Sequence, residues 1–202
     1  QHQRLGVRGI LELFIKVCDA VQYAHQAGII HRDLKPLNIM VTSTGEPQLL
    51  DFGLAHVKPQ GSVDATSTDG QGGVGTPAYM APEQTDPQST AIDTRTDVYS
   101  LGVLLYEFLT GTWPHPPTPD MNEMRRRRRK PRRHGGALPR DLTAILYQAL
   151  SLEPARRYQS AAAFAADMRA YLDKRPVAAR QGGMGYVIGK HLARRPILST
   201  TA

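Results

Sequence analysis

Leu11, Phe14, Ile15, Cys18, Val21 and His25 recur at three- and four-residue steps, the spacing of one apolar face of a helix. Gly28 follows, where a helix end in the left-handed conformation is expected. Two short β-type runs come next, Ile39-Met40-Val41 and Gln48-Leu49-Leu50. The turn-rich stretch from Thr42 to Pro47 joins them, so a hairpin is predicted. Thr94 to Asp97 resembles a capping box, and it opens Val98 to Leu109, a segment apolar nearly all round. A helix of that kind belongs inside the core, and Gly111 followed by Pro114 ends it. Leu142, Ile145, Leu146 and Ala149 make a further helical face. Phe164, Ala165, Met168, Tyr171 and Leu172 make another, with Ser160 as its N-cap. Beyond Pro176 the pattern fades into a Gly- and Arg-containing tail that reads as a linker. The prediction is one mainly α unit with a small hairpin near its start and no internal repeat.

Composition narrows the class. With 202 residues and 41% hydrophobic content the chain can bury one sizeable core, and it is too apolar to be wholly disordered. One cysteine, Cys18, cannot form an internal disulfide, which favours a reducing compartment. No apolar run approaches the roughly 20 residues of a membrane helix, and no secretory signal core follows Gln1-His2-Gln3-Arg4. A cytoplasmic placement is the expectation. The net charge of +7 is local: Arg125 to Arg129, Lys130, Arg132 and Arg133 supply it, and without them 17 basic residues face 18 acidic ones. Such blocks are ordinarily solvated loops. Docking to an acidic protein, to nucleic acid or to anionic lipid are the alternatives. Nucleic-acid binding is not expected, because no aromatic residue lies between Trp113 and Tyr147 to interleave with the block.

The residues that carry chemistry flank the predicted hairpin. His31-Arg32-Asp33-Leu34-Lys35-Pro36-Leu37-Asn38 precedes it and Asp51-Phe52-Gly53 follows it. In an antiparallel pair the residue entering the first strand and the residue leaving the second lie side by side, so Asn38 and Asp51 are expected to converge. An amide oxygen and a carboxylate are hard ligands suited to Mg²⁺. Asp33 is a carboxylate able to accept or orient a hydroxyl proton, and Lys35 is a cation able to neutralise a phosphoryl group. The Gly61–Gly75 stretch, with five glycines and Ser62, Thr66, Ser67 and Thr68, reads as a long exposed loop.

These motifs, in this order, resemble the large C-terminal lobe of a protein kinase from about Leu11 to Leu172. Gly75 to Glu83 is similar to the segment ending in Ala-Pro-Glu. Asp97-Val98-Tyr99-Ser100-Leu101-Gly102 is similar to the start of the buried central helix, and Pro154 to Tyr158 to the stretch whose arginine, here Arg157, pairs with Glu83. Lys35 and Gly75-Thr76-Pro77 resemble the serine/threonine class, and the wording from Gly75 to Gln84 resembles bacterial relatives of the eukaryotic kinases. The resemblance implies ATP and Mg²⁺ as cofactors and a protein serine or threonine hydroxyl as acceptor. It implies Asp33 as base or orienting group, Lys35 at the γ-phosphate, Asn38 and Asp51 on Mg²⁺, and Thr76 hydrogen-bonded near Asp33 and Lys35. Met40 would floor the adenine site, and Arg32 would read a phosphate on Ser62, Thr66, Ser67 or Thr68. His31, Phe52, Glu83, Asp97 and Arg157 would be structural, with Asp97 capping the central helix and tying down the catalytic loop.

The family's small N-terminal lobe, with its Gly-rich loop and strand lysine, is expected to be absent from this chain. Gly183, Gly185 and Gly189 space one residue too long for that loop and follow the lobe, not precede it. The domain reading is therefore a partial kinase domain over 1–172 and a basic linker over 173–202. In that linker Lys190, Arg194 and Arg195 would lie next to a membrane anchor beyond Ala202. A catalytically inactive kinase-like binding or scaffold module is the other reading.

Overall fold

A computed structural model describes residues 5–52, 76–85, 92–115, 138–180 and 183–194. The described residues form five α-helices and one two-stranded sheet: α1 (Val7–Gln26), β1 (Ile39–Val41), β2 (Pro47–Leu49), α2 (Thr94–Thr110), α3 (Arg140–Ala149), α4 (Ala161–Leu172) and α5 (Met184–Arg194). Short 3₁₀ turns cover Pro36–Asn38, Thr76–Tyr79, Pro82–Thr85 and Pro154–Arg156.

The apolar stripe of α1 is the one its periodicity marks. Leu11, Phe14, Cys18 and Val21 are buried, and the stripe packs chiefly on α4, with further contact to α2 and β2. Gly28 ends the helix region at φ +77°. Around it α2 is buried from Thr96 to Tyr106, so it crosses the centre of the molecule with no solvent face along most of its length. The helix begins earlier than its apolar run suggests. Asp93, one residue before Thr94, is the N-cap and accepts from Arg95 N–H at 2.8 Å, so Asp97 lies inside the first turns and caps nothing. Gly111 ends α2 at φ +70°.

Where α2 meets α3 the helices approach closely because position 102 has no side chain. A Cβ added to Gly102 would stand 2.9 Å from Ala149 Cβ. Gly102→Val is expected to lower stability by about 1–3 kcal/mol through overpacking, despite the better helix propensity of most other residues over glycine. Thermal unfolding measured beside the parent checks this, and an unchanged midpoint would contradict the close approach.

β1 and β2 pair antiparallel with Ile39 opposite Leu49, Met40 opposite Gln48 and Val41 opposite Pro47. The second strand is one residue earlier than its hydrophobic run suggests, because Pro47, which has no N–H, is tolerated as the first residue of a strand. Lys16 ties the hairpin to α1, reaching Glu46 Oε1 at 2.5 Å and Gly45 O at 3.3 Å. The tail departs further from expectation. Residues 184–194, read as linker, form α5, and Gly185 and Gly189 lie within that helix and not in a strand–turn–strand. Among the described residues no helix is long and apolar enough to cross a membrane.

Candidate active site

The site grows from a buried aspartate. Asp97, on the first turns of α2, is fully enclosed, and its carboxylate accepts from His31 N–H (Oδ2, 2.8 Å) and Arg32 N–H (Oδ1, 2.8 Å). A buried carboxylate needs such donors to offset its lost hydration. The loop from His31 is thereby hung from the central helix. From the other side the Gln84 side chain donates to Arg32 O at 2.6 Å and accepts from Ala81 N–H at 2.8 Å. Held at both its N–H and its C=O, Arg32 adopts φ +66°, a conformation costly to a residue with a Cβ. Asp51 does the same at φ +51°. The two strained positions stand at the loop entering the hairpin and at the segment leaving it.

His31 joins those two segments. Its Nδ1 accepts from Asp33 N–H at 3.4 Å, which leaves the proton on Nε2, and Nε2 donates to Leu50 O at 3.0 Å. Its ring lies 4.9 Å from that of Phe52. The Asp33 carboxylate receives Lys35 Nζ at 2.7 Å. Asn38, buried in the turn after Pro36, donates through Nδ2 to Asp33 O at 2.8 Å and to Asp33 Oδ2 at 3.3 Å. Both partners are acceptors, so the nitrogen is the end of the amide facing Asp33, and the amide oxygen is the end available to a cation. Asn38 O also accepts from Leu50 N–H at 2.9 Å. That bond extends the hairpin one step and brings Asp51, exposed, to the same end as Asn38.

Two hard oxygens at one end of a hairpin fit a magnesium ion, which takes few protein ligands and keeps water and phosphate for the rest of its shell. Among the described residues no group of three or more His, Cys, Asp or Glu side chains is placed to hold a metal. Met40 is exposed on β1. Thr76 opens the Thr76–Tyr79 turn, with its side chain outside the described residues. Ser62, Thr66, Ser67 and Thr68, Gly53 and the Arg125–Arg133 block also lie outside the described residues. Arg32 Nε is enclosed and has no hydrogen-bond partner among the described residues.

Beneath the site Glu83 and Arg157 form a two-pronged ion pair, Nη1 to Oε1 at 2.6 Å and Nη2 to Oε2 at 2.8 Å. Arg157 also donates to Ser151 O (2.7 Å), Arg95 O (3.0 Å) and Leu152 O (3.2 Å), so every guanidinium N–H has an acceptor. Thr96 Oγ1 donates to Glu83 at 2.9 Å. Burial alone would raise the Glu83 carboxyl, but Arg157 and Thr96 outweigh it and hold the group below the ordinary carboxylate range. Asp141 behaves alike: desolvation is overcome by Lys190 and Arg180, and its pKa is lowered. A carboxylate with a depressed folded-state pKa contributes stability above its unfolded pKa and loses it as pH falls through the folded value. Denaturant titration is therefore expected to show stability falling below about pH 4. In Glu83→Gln that acid slope is expected to be shallower; an unaltered slope would contradict the coupling.

Two residues of this scaffold escaped the motif reading. His25 donates through Nε2 to Asp97 Oδ2 at 2.7 Å, with its side chain almost wholly enclosed. Its signal was present: an imidazole on an apolar helical stripe needs a buried partner. Gln84 had no signal beyond standing next to Glu83, because its role is fixed by a loop far away in sequence.

A family model described as the protein kinase domain matches residues 1–168. The chain belongs to the protein kinase family. It is 37% identical, over 84% of its length, to a probable serine/threonine-protein kinase of Streptomyces coelicolor. To the serine/threonine-protein kinase PknB of Mycobacterium tuberculosis it is 38% identical over 78% of its length. A probable serine/threonine-protein kinase of Clostridium perfringens is 35% identical over the same share. The aligned part covers 25%, 25% and 23% of those proteins, so this kinase-family chain spans about a quarter of the length of the curated relatives it matches.

Proposed function

We propose that this chain is the catalytic-loop lobe of a serine/threonine protein kinase, residues 1–172, carrying a basic appendage over 173–202. It transfers the γ-phosphoryl group of Mg²⁺–ATP to a serine or threonine hydroxyl of a protein. The observation that carries this reading is the convergence of Lys35 and Asn38 on Asp33 at the end of the hairpin where Asp51 emerges.

In the reaction the acceptor oxygen forms a bond to phosphorus, the bond to the departing ADP oxygen breaks, and the acceptor proton passes to Asp33. Asp33 needs to be ionised and aimed for that. The loop's suspension from Asp97 aims it, and Lys35 Nζ holds its carboxylate at 2.7 Å. Lys35 then has a second task, offsetting charge on the transferring group. Asn38 Oδ1 and the Asp51 carboxylate would hold a Mg²⁺ ion, which would supply charge neutralisation for the phosphoryl group. Met40, exposed on β1, floors the adenine site, and Thr76 positions the acceptor side of the loop. Arg32, whose Nε has no hydrogen-bond partner among the described residues, receives a phosphate on Ser62, Thr66, Ser67 or Thr68 and so couples phosphorylation to loop order. ATP as donor places the lobe on the cytoplasmic side.

Phosphate transfer by the full-length polypeptide tests the reading. Label from γ-labelled ATP is expected on serine and threonine and not on tyrosine, only with Mg²⁺ or Mn²⁺ present. Asp51→Asn is expected to reduce it at least a hundredfold, on the scale of losing electrostatic stabilisation of the transition state. Undiminished labelling in Asp51→Asn would contradict the assignment, and no labelling by the parent would favour the scaffold reading.

A further inference from the structure

Helix α5 is docked on the lobe by one face and leaves another uncovered. Tyr186 and Lys190, four residues apart, make the contact. Tyr186 Oη accepts from Val177 N–H at 3.1 Å, and the Arg180 guanidinium lies 4.2 Å over the Tyr186 ring. Lys190 Nζ reaches Asp141 Oδ2 at 2.5 Å, and Arg180 Nη1 reaches Asp141 Oδ1 at 2.8 Å. At about 100° per residue, Ile188 stands opposite the midpoint of Tyr186 and Lys190. It is 52% exposed, and Val187 beside it is 37% exposed. Polar and aromatic groups thus face the protein while aliphatic ones face solvent, the reverse of an ordinary surface helix.

The segment bearing this stripe is basic in sequence, and Asp141 from α3 and Asp173 offset part of its charge by pairing with Arg180, Lys190 and Arg175. From Lys174 to Ala202 the sequence holds Lys174, Arg175, Arg180, Lys190, Arg194 and Arg195 and no acidic residue. A cavity of about 450 Å³ opens beside Val187, lined among others by Arg175, Arg180, Tyr186 and Asp167, whose carboxylate already accepts from Ala178 N–H, Ala179 N–H and the Tyr158 hydroxyl. A basic helix with exposed aliphatic residues and low overall hydrophobicity matches the chemistry of an anionic bilayer interface, where the stripe enters the acyl boundary and the cations meet headgroup phosphates. A second copy of the same segment would meet it with like charge and is disfavoured.

We propose that α5 is a membrane-surface helix that seats the lobe on anionic phospholipid through Val187 and Ile188, with the cavity beside Val187 receiving a headgroup phosphate. Because Asp141 and Val177 hold α5 in place, seating the helix fixes the orientation of the lobe at the bilayer. This inference is independent of the phosphoryl-transfer reading.

Flotation of the full chain with lipid vesicles tests it. The chain is expected to float with vesicles containing phosphatidylglycerol and not with pure phosphatidylcholine, and binding is expected to weaken as salt rises. The double variant Val187→Ser, Ile188→Ser leaves every charge in place and is expected to weaken binding at least about tenfold. A polarity-sensitive fluorophore on Ile188→Cys is expected to shift to the blue on vesicles; Cys18 is fully buried and its thiol is pushed up by burial, so labelling is selective. Flotation undiminished by the double serine variant would assign binding to the Arg125–Arg133 block and overturn the proposal. So would an absence of flotation, a fluorophore insensitive to vesicles, or concentration-dependent self-association that the serine variant abolishes.

Discussion

In the full-length kinase, Asp33→Asn is expected to lower kcat by about 10²–10⁴-fold, the range of a positioned general base, while nucleotide affinity stays within a factor of about 3. Asparagine matches aspartate in size, so the loop hung from Asp97 keeps its path. What it lacks is the charge that holds Lys35 at 2.7 Å and the oxygen able to take a proton. The effect should therefore fall on the chemical step, and Asn38 and Asp51 should hold the metal–nucleotide as before. Single-turnover transfer measured beside equilibrium nucleotide binding separates the two. A variant that turns over like the parent would remove Asp33 from the reaction. A variant that loses nucleotide in proportion to its rate would make Asp33 part of binding instead.

The second large effect concerns the scaffold. Arg157→Met leaves the Glu83 carboxylate buried against Thr96 without its cation. Removing one partner of a buried pair costs about 3–5 kcal/mol, a large part of the about 5–15 kcal/mol that holds a domain together. For a domain of this size the kinase-domain melting temperature is expected to drop by about 6–20 °C. Adding Glu83→Gln removes the stranded charge, so the double variant is expected to recover part of the loss. If Arg157→Met alone melts with the parent, the pair contributes no more than an exposed one. Arg157 also gives up hydrogen bonds to Ser151, Leu152 and Arg95, so full recovery in the double variant is not expected.

Much of the fold was legible because it follows local rules. The stripe Leu11, Phe14, Cys18 and Val21 announces α1, the unbroken apolar run after Asp97 announces a buried helix, and Gly28 and Gly111 mark helix ends that take positive φ. Ser160 caps α4, accepting from Ala163 N–H. Boundaries were less legible. The first turn of α2 is written in Asp93 and Thr94, whose polarity hid it from a hydrophobic reading. Helix α5 was missed for a stronger reason: three glycines near its start lower helix propensity, and what holds it is the distant Asp141, which no local pattern displays.

The candidate site divides in the same way. Asp33, Lys35, Asn38 and Asp51 lie within one short stretch of sequence, and a hairpin register was enough to bring their ends together. The strained backbone at Arg32 and Asp51 was invisible, since neither is a glycine, and at Arg32 the cost is met by Asp97 and Gln84 from elsewhere in the chain. His25 shows the same limit: its place on the stripe was plain, its bond to Asp97 was not.

Paramagnetic relaxation by Mn²⁺–nucleotide in the full-length protein tests the central claim most directly, because it locates the ion and no reaction needs to occur. Backbone amide signals of Asp33, Asn38 and Asp51 are expected to broaden together, while those of Asp141 and Asp167 stay sharp. Broadening centred on other carboxylates, or reaching Asp51 without Asn38, would contradict a single phosphoryl-transfer site at the end of this hairpin.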